Sequence, residues 1–251
     1  MNKIIVSLTS YGPRFKTLPK TLKSLLSQNY KPDRIVLWVH ENDVNLIPEE
    51  VMQFAKSGIE ILSIKGPDLR SGTKIIPSLI SFPDDVIVTC DDDVIYYDDW
   101  LSDLIAAYKQ EDEKVIICHR ACICEMLDAQ SFKPYLDWRG LNIKDELSSA
   151  SVFPTGIGGV LYPAGCFHED VINIDLYRKL CLTGDDIWLY FMSTMKGVMK
   201  KKIITHLDES PVDGSQEMAL WKHNLVGPND VQLQAMLKHY GREFTDKFML
   251  S

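Results

Sequence analysis

The sequence predicts an α/β protein built on a doubly wound, mostly parallel sheet. Two observations carry that expectation. Short apolar runs rich in Val and Ile alternate with stripes at helical spacing through the first half of the chain. Hydroxyl-bearing and acidic residues then follow directly on several of those runs, and in such sheets ligands bind beyond the carboxyl ends of the strands.

Taken in order, IIVSLT from Ile4 to Thr9 reads as a first buried strand ending in hydroxyl residues. Leu18, Leu22, Leu25 and Leu26 fall on one helical face. RIVLWV at 34–39 is a second strand, and residues 48–57 form a helix with Pro48 in its first turn. A third strand covers 60–64. Ile75, Ile76, Leu79 and Ile80 make a helical stripe before the strand VIVTC at 86–90. Trp100, Leu101, Leu104, Ile105 and Tyr108 make another ahead of a strand at 115–118. Regularity weakens from 131 to 165, and helical patterning returns near 185–195 and 230–240. No internal repeat, low-complexity segment or linker marks a second domain, and 251 residues can bury one substantial core.

Hydrophobic residues make up 45% and charged residues 25%, the mixture of an ordered globular protein. The net charge of −8 argues against a nucleic-acid partner, which needs a basic surface to replace the counterions of phosphates. A nucleotide ligand stays compatible, because one local cation or metal ion can meet a diphosphate. Lys196 and Lys200, Lys201 and Lys202 form the most basic stretch, read as a solvated face or turn, with peripheral attraction to an anionic membrane surface as the alternative. No run approaches the ~20 apolar residues that span a bilayer. The N-terminal residues lack the features of a secretory signal, so the expected location is cytoplasmic, at most at the inner face of the membrane. The six cysteines then fit a reducing compartment. Neither G-x-G-x-x-G nor a P-loop motif occurs.

The strongest local signal is CDDDVIYYDDW at 90–100. Asp91, Asp92 and Asp93 sit where the most β-prone strand ends, and carboxylates so close repel one another unless a cation offsets them. A divalent ion held by oxygen, with positions open to a diphosphate, is the natural cation. In an extended segment Asp91 and Asp93 face the same side. Asp98 or Asp99 is expected to cap the following helix.

Together with CDDDVIYYDDW, the ordered motifs IIVSLTSYGPRF, SGTKIIPSL, CHRA, FPTGIGGVLYPAG, TGDDIWL and ALWKHN resemble bacterial glycosyltransferases related to family 2. The resemblance covers nearly the whole chain. It implies a GT-A fold in one domain, with about 1–120 as the nucleotide-sugar-binding half and about 121–251 as the acceptor-side half. It also implies transfer from a UDP-type donor to a glycan or glycolipid hydroxyl, with inversion, in bacterial surface polysaccharide synthesis, assisted by Mn2+ or Mg2+. On the donor it places Thr9, Ser10, Tyr11, Arg14, Asp43, Lys74, Asp91 and Asp92, with Gly158 and Gly159 under the donor sugar and acceptor. Asp91 and Asp93 are the implied metal ligands, with His206 completing the shell. Asp186 is the implied base, with Asp185 as helix cap, although the family's common pair is Glu-Asp and the first residue here departs from it. A carboxylate at a helix start is stabilised as the anion, so basic strength near neutrality must come from desolvation or a neighbouring carboxylate.

Two rivals stand beside this reading. A sugar-1-phosphate nucleotidyltransferase would carry a Gly-rich, basic loop after the first strand, and SLTSYGPRF is poor in both. A non-catalytic nucleotide- or glycan-binding protein of the same fold would have no reason to keep both the 91–93 cluster and Asp186. Cys118, His119, Cys122 and Cys124 raise the possibility of zinc, but C-x3-C-x-C has no paired C-x2-C elsewhere and reads better as reduced thiols on a strand. Trp188 and Trp221 suit either sugar stacking or the core.

Overall fold

The computed structural model describes residues 2–206 and 227–249. The motif at 219–224, with Trp221, lies outside the described residues.

The strands begin with β1 (Ile4–Thr9), β2 (Arg34–His40), β3 (Ile59–Ile64) and β4 (Val86–Thr89). They continue with β5 (Ile116–Cys118), β6 (Ala121–Ile123), β7 (Met126–Asp128) and β8 (Ser131–Phe132). The last are β9 (Leu147–Ser149), β10 (Val152–Pro154), β11 (Val160–Tyr162) and β12 (Lys200–Lys202). Eight of them form one sheet in the order β3-β2-β1-β4-β11-β5-β12-β9. Pairing is parallel among β1, β2, β3 and β4 and between β5 and β12, whereas β11 runs antiparallel to both of its neighbours. The later half of the chain thus adds β11 directly beside β4.

Alternation along the strands feeds two cores, one on each face. On β1, Ile5 joins one and Ile4, Val6 and Leu8 the other; on β2, Val36 and Trp38 oppose Ile35, Leu37 and Val39. Helices cover both faces: α1 (Leu18–Leu26), α2 (Glu49–Met52), α3 (Ile76–Ser81), α4 (Trp100–Gln110), α5 (Ile174–Leu180), α6 (Asp185–Met195), α7 (Pro228–Tyr240) and α8 (Arg242–Met249). The apolar stripe of α1 buries Leu18, Leu22 and Leu25. The helix expected at 48–57 is α2 followed by a 3-10 turn, stopped where Gly58 turns left-handed at φ 105°. Asp99 does occupy the N-cap position of α4, but its side chain accepts from Asn29 Nδ2 at 2.7 Å, and it is the backbone carbonyl that receives the Asp103 N–H.

The chain steps outward from β1 to β3 and returns on the other side of β1 as β4. At such a reversal the loops after the two central strands splay apart and leave a crevice beyond their carboxyl ends. The segments 10–14 and 90–93 flank it.

Candidate active site

The crevice is a cavity of about 930 Å³. Thr9, Ser10, Tyr11, Arg14 and Asp43 line it from the β1 and β2 side. Lys74 and Asp91, Asp92 and Asp93 form its floor, and Asp185 and Asp186 enter from the first turn of α6. Residues far apart in the chain therefore meet at one place.

Local hydrogen bonds explain how each segment arrives. The Ser7 hydroxyl, on β1, donates to the Lys74 carbonyl at 2.5 Å, fixing the 3-10 turn Arg70–Lys74 above the sheet. The Asp91 N–H donates to the Tyr96 hydroxyl at 2.9 Å, and the Thr21 hydroxyl donates to the Asp92 carbonyl at 3.0 Å, which shapes the acidic loop. Asp43 Oδ1 accepts the Gly12 N–H at 3.3 Å, joining the loops after β1 and β2. The Thr9 hydroxyl is committed to the Trp38 carbonyl at 2.9 Å, so any contact it makes with a ligand shares that bond.

Charge in the floor is organised by two cations. The Arg14 guanidinium pairs with Asp92 and, at 3.0 Å, with Asp93. Lys74 Nζ lies 2.8 Å from Asp91 and 3.2 Å from Asp185, with only 7% of its side chain exposed. Burial alone would push the Lys74 ammonium down, but Asp185, Asp91 and Asp186 outweigh it and hold its pKa well above 10.5. Burial raises Asp92 to about 6 against the opposing pull of Arg14. Asp93 is raised by burial and by Asp91. Asp186 is pushed up to about 7, first by burial and then by the charge of Asp185, with Lys74 and the Gly156 N–H (3.2 Å) opposing the rise. Desolvation and a neighbouring carboxylate are the two sources of basic strength that a helix-start aspartate needs.

Several site expectations look different in three dimensions. Asp185 is inside α6 rather than at its cap, which is Gly184, and its carboxylate faces Lys74. Gly158 and Gly159 lie behind the cavity wall. A Cβ on Gly159 would fall 2.5 Å from the Trp100 ring at a φ of 87°, and the Gly158 carbonyl accepts from Trp100 Nε1 at 2.8 Å, so both serve packing. Gly156 is the glycine of that motif that reaches the site, where a Cβ would lie 2.7 Å from Lys74 Nζ and 3.3 Å from Asp186 Oδ1. Nothing in TGIGG distinguishes it by sequence. His206 is exposed, sits edge-on to Tyr97 at 6.4 Å between ring centroids, and is not part of the cavity wall. Trp188 is fully buried and donates to the Val171 carbonyl at 3.1 Å, which leaves no face for a sugar.

The donor set suits a hard cation. Even with Asp186 protonated, Asp91, Asp92, Asp93 and Asp185 outnumber Arg14 and Lys74, so the floor carries surplus negative charge on carboxylate oxygens. The Asp91 side chain is 26% exposed and the Asp92 side chain 5%, so Asp91, with Asp93, is the better placed to reach an ion. Among the described residues no three His, Cys, Asp or Glu side chains are placed to hold an ion by themselves. An ion there would need further oxygens from a bound ligand.

The six cysteines are free thiols, and burial pushes Cys122 up to about 12 and Cys118 and Cys124 higher still. Thiols held protonated are poor zinc ligands. Protein purified without chelator is expected to contain no stoichiometric zinc by elemental analysis, and Cys122→Ser to stay folded. Zinc that is bound in the parent and lost in that variant would reverse this assignment.

No known family's profile matches the chain, and no curated protein matches it. Solved structures do. S. aureus TarS 1-349 superposes with a TM-score of 0.51 at 14% identity, over 82% of this chain and 59% of that one. The same protein in complex with UDP gives a TM-score of 0.53 at 12% identity over the same shares. A shorter match, with a TM-score of 0.36 over 47% of this chain and 43% of the other at 15% identity, is to M. tuberculosis glucosyl-3-phosphoglycerate synthase with Mn2+, UDP and glucosyl-3-phosphoglycerate. The chain thus spans 59% of the length of the TarS structures it matches. At these identities the likeness to TarS shows the fold, and the fold is GT-A.

Proposed function

We propose that this chain is an inverting glycosyltransferase that moves a sugar from a nucleotide-linked donor of the UDP type to a hydroxyl of a glycan or glycolipid. The observation that carries the reading is Asp186. It is a half-buried carboxylate in the wall of the crevice, raised to about 7 and oriented by the Gly156 N–H, one side chain away from the Lys74 that holds Asp91. The GT-A fold, shared with a protein solved in complex with UDP, supports the donor class.

In this mechanism the donor lies across the floor with its diphosphate toward Arg14 and Lys74. Asp186 accepts the proton of the acceptor hydroxyl as that oxygen attacks the anomeric carbon from the side opposite the leaving group. One displacement inverts the centre. A pKa near 7 leaves a substantial fraction of Asp186 ionised at neutral pH, yet basic enough to take the proton. Lys74 is clamped between Asp91 and Asp185, so it acts on the departing diphosphate through its field. Asp91 and Asp93 would hold Mn2+ or Mg2+ together with the diphosphate, and such an ion supplies neutralisation of charge on the leaving group. The expected setting is bacterial surface polysaccharide synthesis on the cytoplasmic side of the membrane. The basic stretch read from the sequence as a solvated face is not one: Lys200 and Lys202 are buried in β12 and Lys201 pairs with Glu111 and Glu146, which leaves Lys196 of that stretch exposed for peripheral contact with an anionic surface. No helix among the described residues is long and apolar enough to cross a membrane.

Calorimetry with UDP tests the donor site. UDP is expected to bind more tightly with Mn2+ present. Asp93→Asn should lose most of that assistance, about 10- to 100-fold in affinity, the range for losing one charge-assisted contact. UDP binding by the variant equal to the parent's with metal present would sink the metal assignment, and no UDP binding by the parent would sink the donor class.

A further inference from the structure

We infer that Arg14 gates the metal site: its guanidinium keeps Asp93 from a divalent ion until a diphosphate draws it off, so that ion and diphosphate bind as a pair. This rests on the glycosyltransferase reading above and adds to it how the donor site admits its ion.

Arg14 belongs to the 3-10 turn Gly12–Lys16 that follows β1. Its backbone is pinned there. The Arg14 N–H donates to the Tyr11 carbonyl at 2.8 Å, the Arg14 carbonyl accepts the Thr17 N–H and hydroxyl at 3.1 Å each, and Phe15 beside it is buried. The side chain reaches across the crevice to the loop after β4, where Nη1 donates to Asp92 and Nη2 to Asp93 at 3.0 Å. The fork thus spans two adjacent carboxylates, and its second bond falls on an oxygen that an ion would need. Asp92 is the inner anchor, its side chain 5% exposed against 11% for Asp93. The lack of three acidic, His or Cys side chains placed to hold an ion, among the described residues, fits an Asp93 that Arg14 turns toward itself.

The hold is incomplete. Arg14 Nε is buried in the cavity wall and makes no hydrogen bond among the described residues, and a buried donor costs free energy to leave unpaired. A diphosphate oxygen would satisfy it, since a guanidinium takes phosphate oxygens as readily as carboxylate oxygens. Lys74 cannot exchange in the same way. It is tied to α6 through Asp185 as well as to Asp91. The side-chain hydrogen bonds of Arg14, among the described residues, go to the acidic loop alone, so it can leave Asp93 without opening the floor.

Whichever ligand arrives first must break the Arg14–Asp93 pair, and the second finds it already broken. A cost met once and shared by two ligands is positive coupling between them, beyond any direct contact of ion with diphosphate.

Calorimetry on the full chain tests this with Mn2+ alone, UDP alone, and UDP with Mn2+ present, the last corrected for the ion's own binding to UDP. The parent is expected to bind Mn2+ alone weakly. Arg14→Gln should bind it about 10- to 100-fold more tightly, the range for removing one competing charge-assisted contact, and the factor by which Mn2+ improves UDP affinity should shrink. Arg14→Lys keeps the charge but not the fork and should fall between. Arg70→Gln removes another cation of the cavity wall, one paired with Asp68, and should leave Mn2+ affinity as in the parent. No gain in Mn2+ affinity for Arg14→Gln, or an unchanged coupling factor, would overturn the inference. An equal gain in Arg70→Gln would do so too, because it would point to the general field of the cavity rather than a bond to Asp93. Should Arg14→Gln fail to fold, Arg14→Lys carries the test alone, and Mn2+ affinity equal to the parent's would overturn the inference. Failure of the parent to bind UDP would instead defeat the glycosyltransferase reading, while the titrations with Mn2+ alone would still judge the hold of Arg14 on Asp93.

Discussion

Asp186→Asn is expected to cut sugar transfer by on the order of 10²–10⁴ while leaving donor affinity nearly unchanged, the signature of a lost general base. The amide keeps the volume of the carboxylate and an oxygen for the Gly156 N–H, but it cannot take the acceptor's proton. The parent's rate should rise with pH through about 7, where Asp186 loses its proton, and level off above. The Asn variant should lack that limb. Asp185→Asn should behave differently. The Asp185 charge is one cause of the raised pKa of Asp186, so removing it lowers that pKa and moves the limb to lower pH. Single-turnover rates across pH for both variants decide the matter. Near-normal transfer by Asp186→Asn would remove it from the mechanism, and a severe loss confined to Asp185→Asn would name the other aspartate as base.

Lys74→Met should be the most destabilising single change in the floor, by about 3–5 kcal/mol, the range for breaking a buried ion pair and leaving its partners uncompensated. Met fills the same volume, so the effect comes from Asp91 and Asp185 losing their counter-charge. The sign of the pH dependence follows from two parts. In the parent, the Lys74 pKa is raised on folding, so its stabilisation is fully present below 10.5 and fades only as pH climbs through the higher folded value. In the variant, acidification neutralises the stranded carboxylates, so the gap to the parent narrows as pH falls. Urea unfolding at several pH values measures both, and a constant gap of under about 0.5 kcal/mol would show that Lys74 is not a clamp.

Most of the first half of the fold was legible, because period-two and period-3.6 patterns report burial directly and the parallel strands are buried on both faces. β1, β2, β3 and β4 lie where the apolar runs place them, within a residue or so. The region from 131 to 165 was not legible. Its strands are two or three residues long, too short for any period to show, and β11 joins the sheet antiparallel between β4 and β5, a placement decided by contacts far away in sequence.

By itself the sequence determined the α/β class, the acidic loop at the end of β4 and the pair of aspartates in TGDDIWL, because these follow from residue type and local spacing. Only the tertiary structure decided what those residues do to one another. It placed Lys74 between Asp91 and Asp185, matched Arg14 to Asp92 and Asp93, drew Gly156 rather than Gly158 or Gly159 against Asp186, and left His206 outside the cavity. The physical reason is that charge pairing and desolvation depend on distance and burial, and both are properties of residues brought together by the sheet from positions as far apart in the chain as Lys74 and Asp185, which no local pattern encodes.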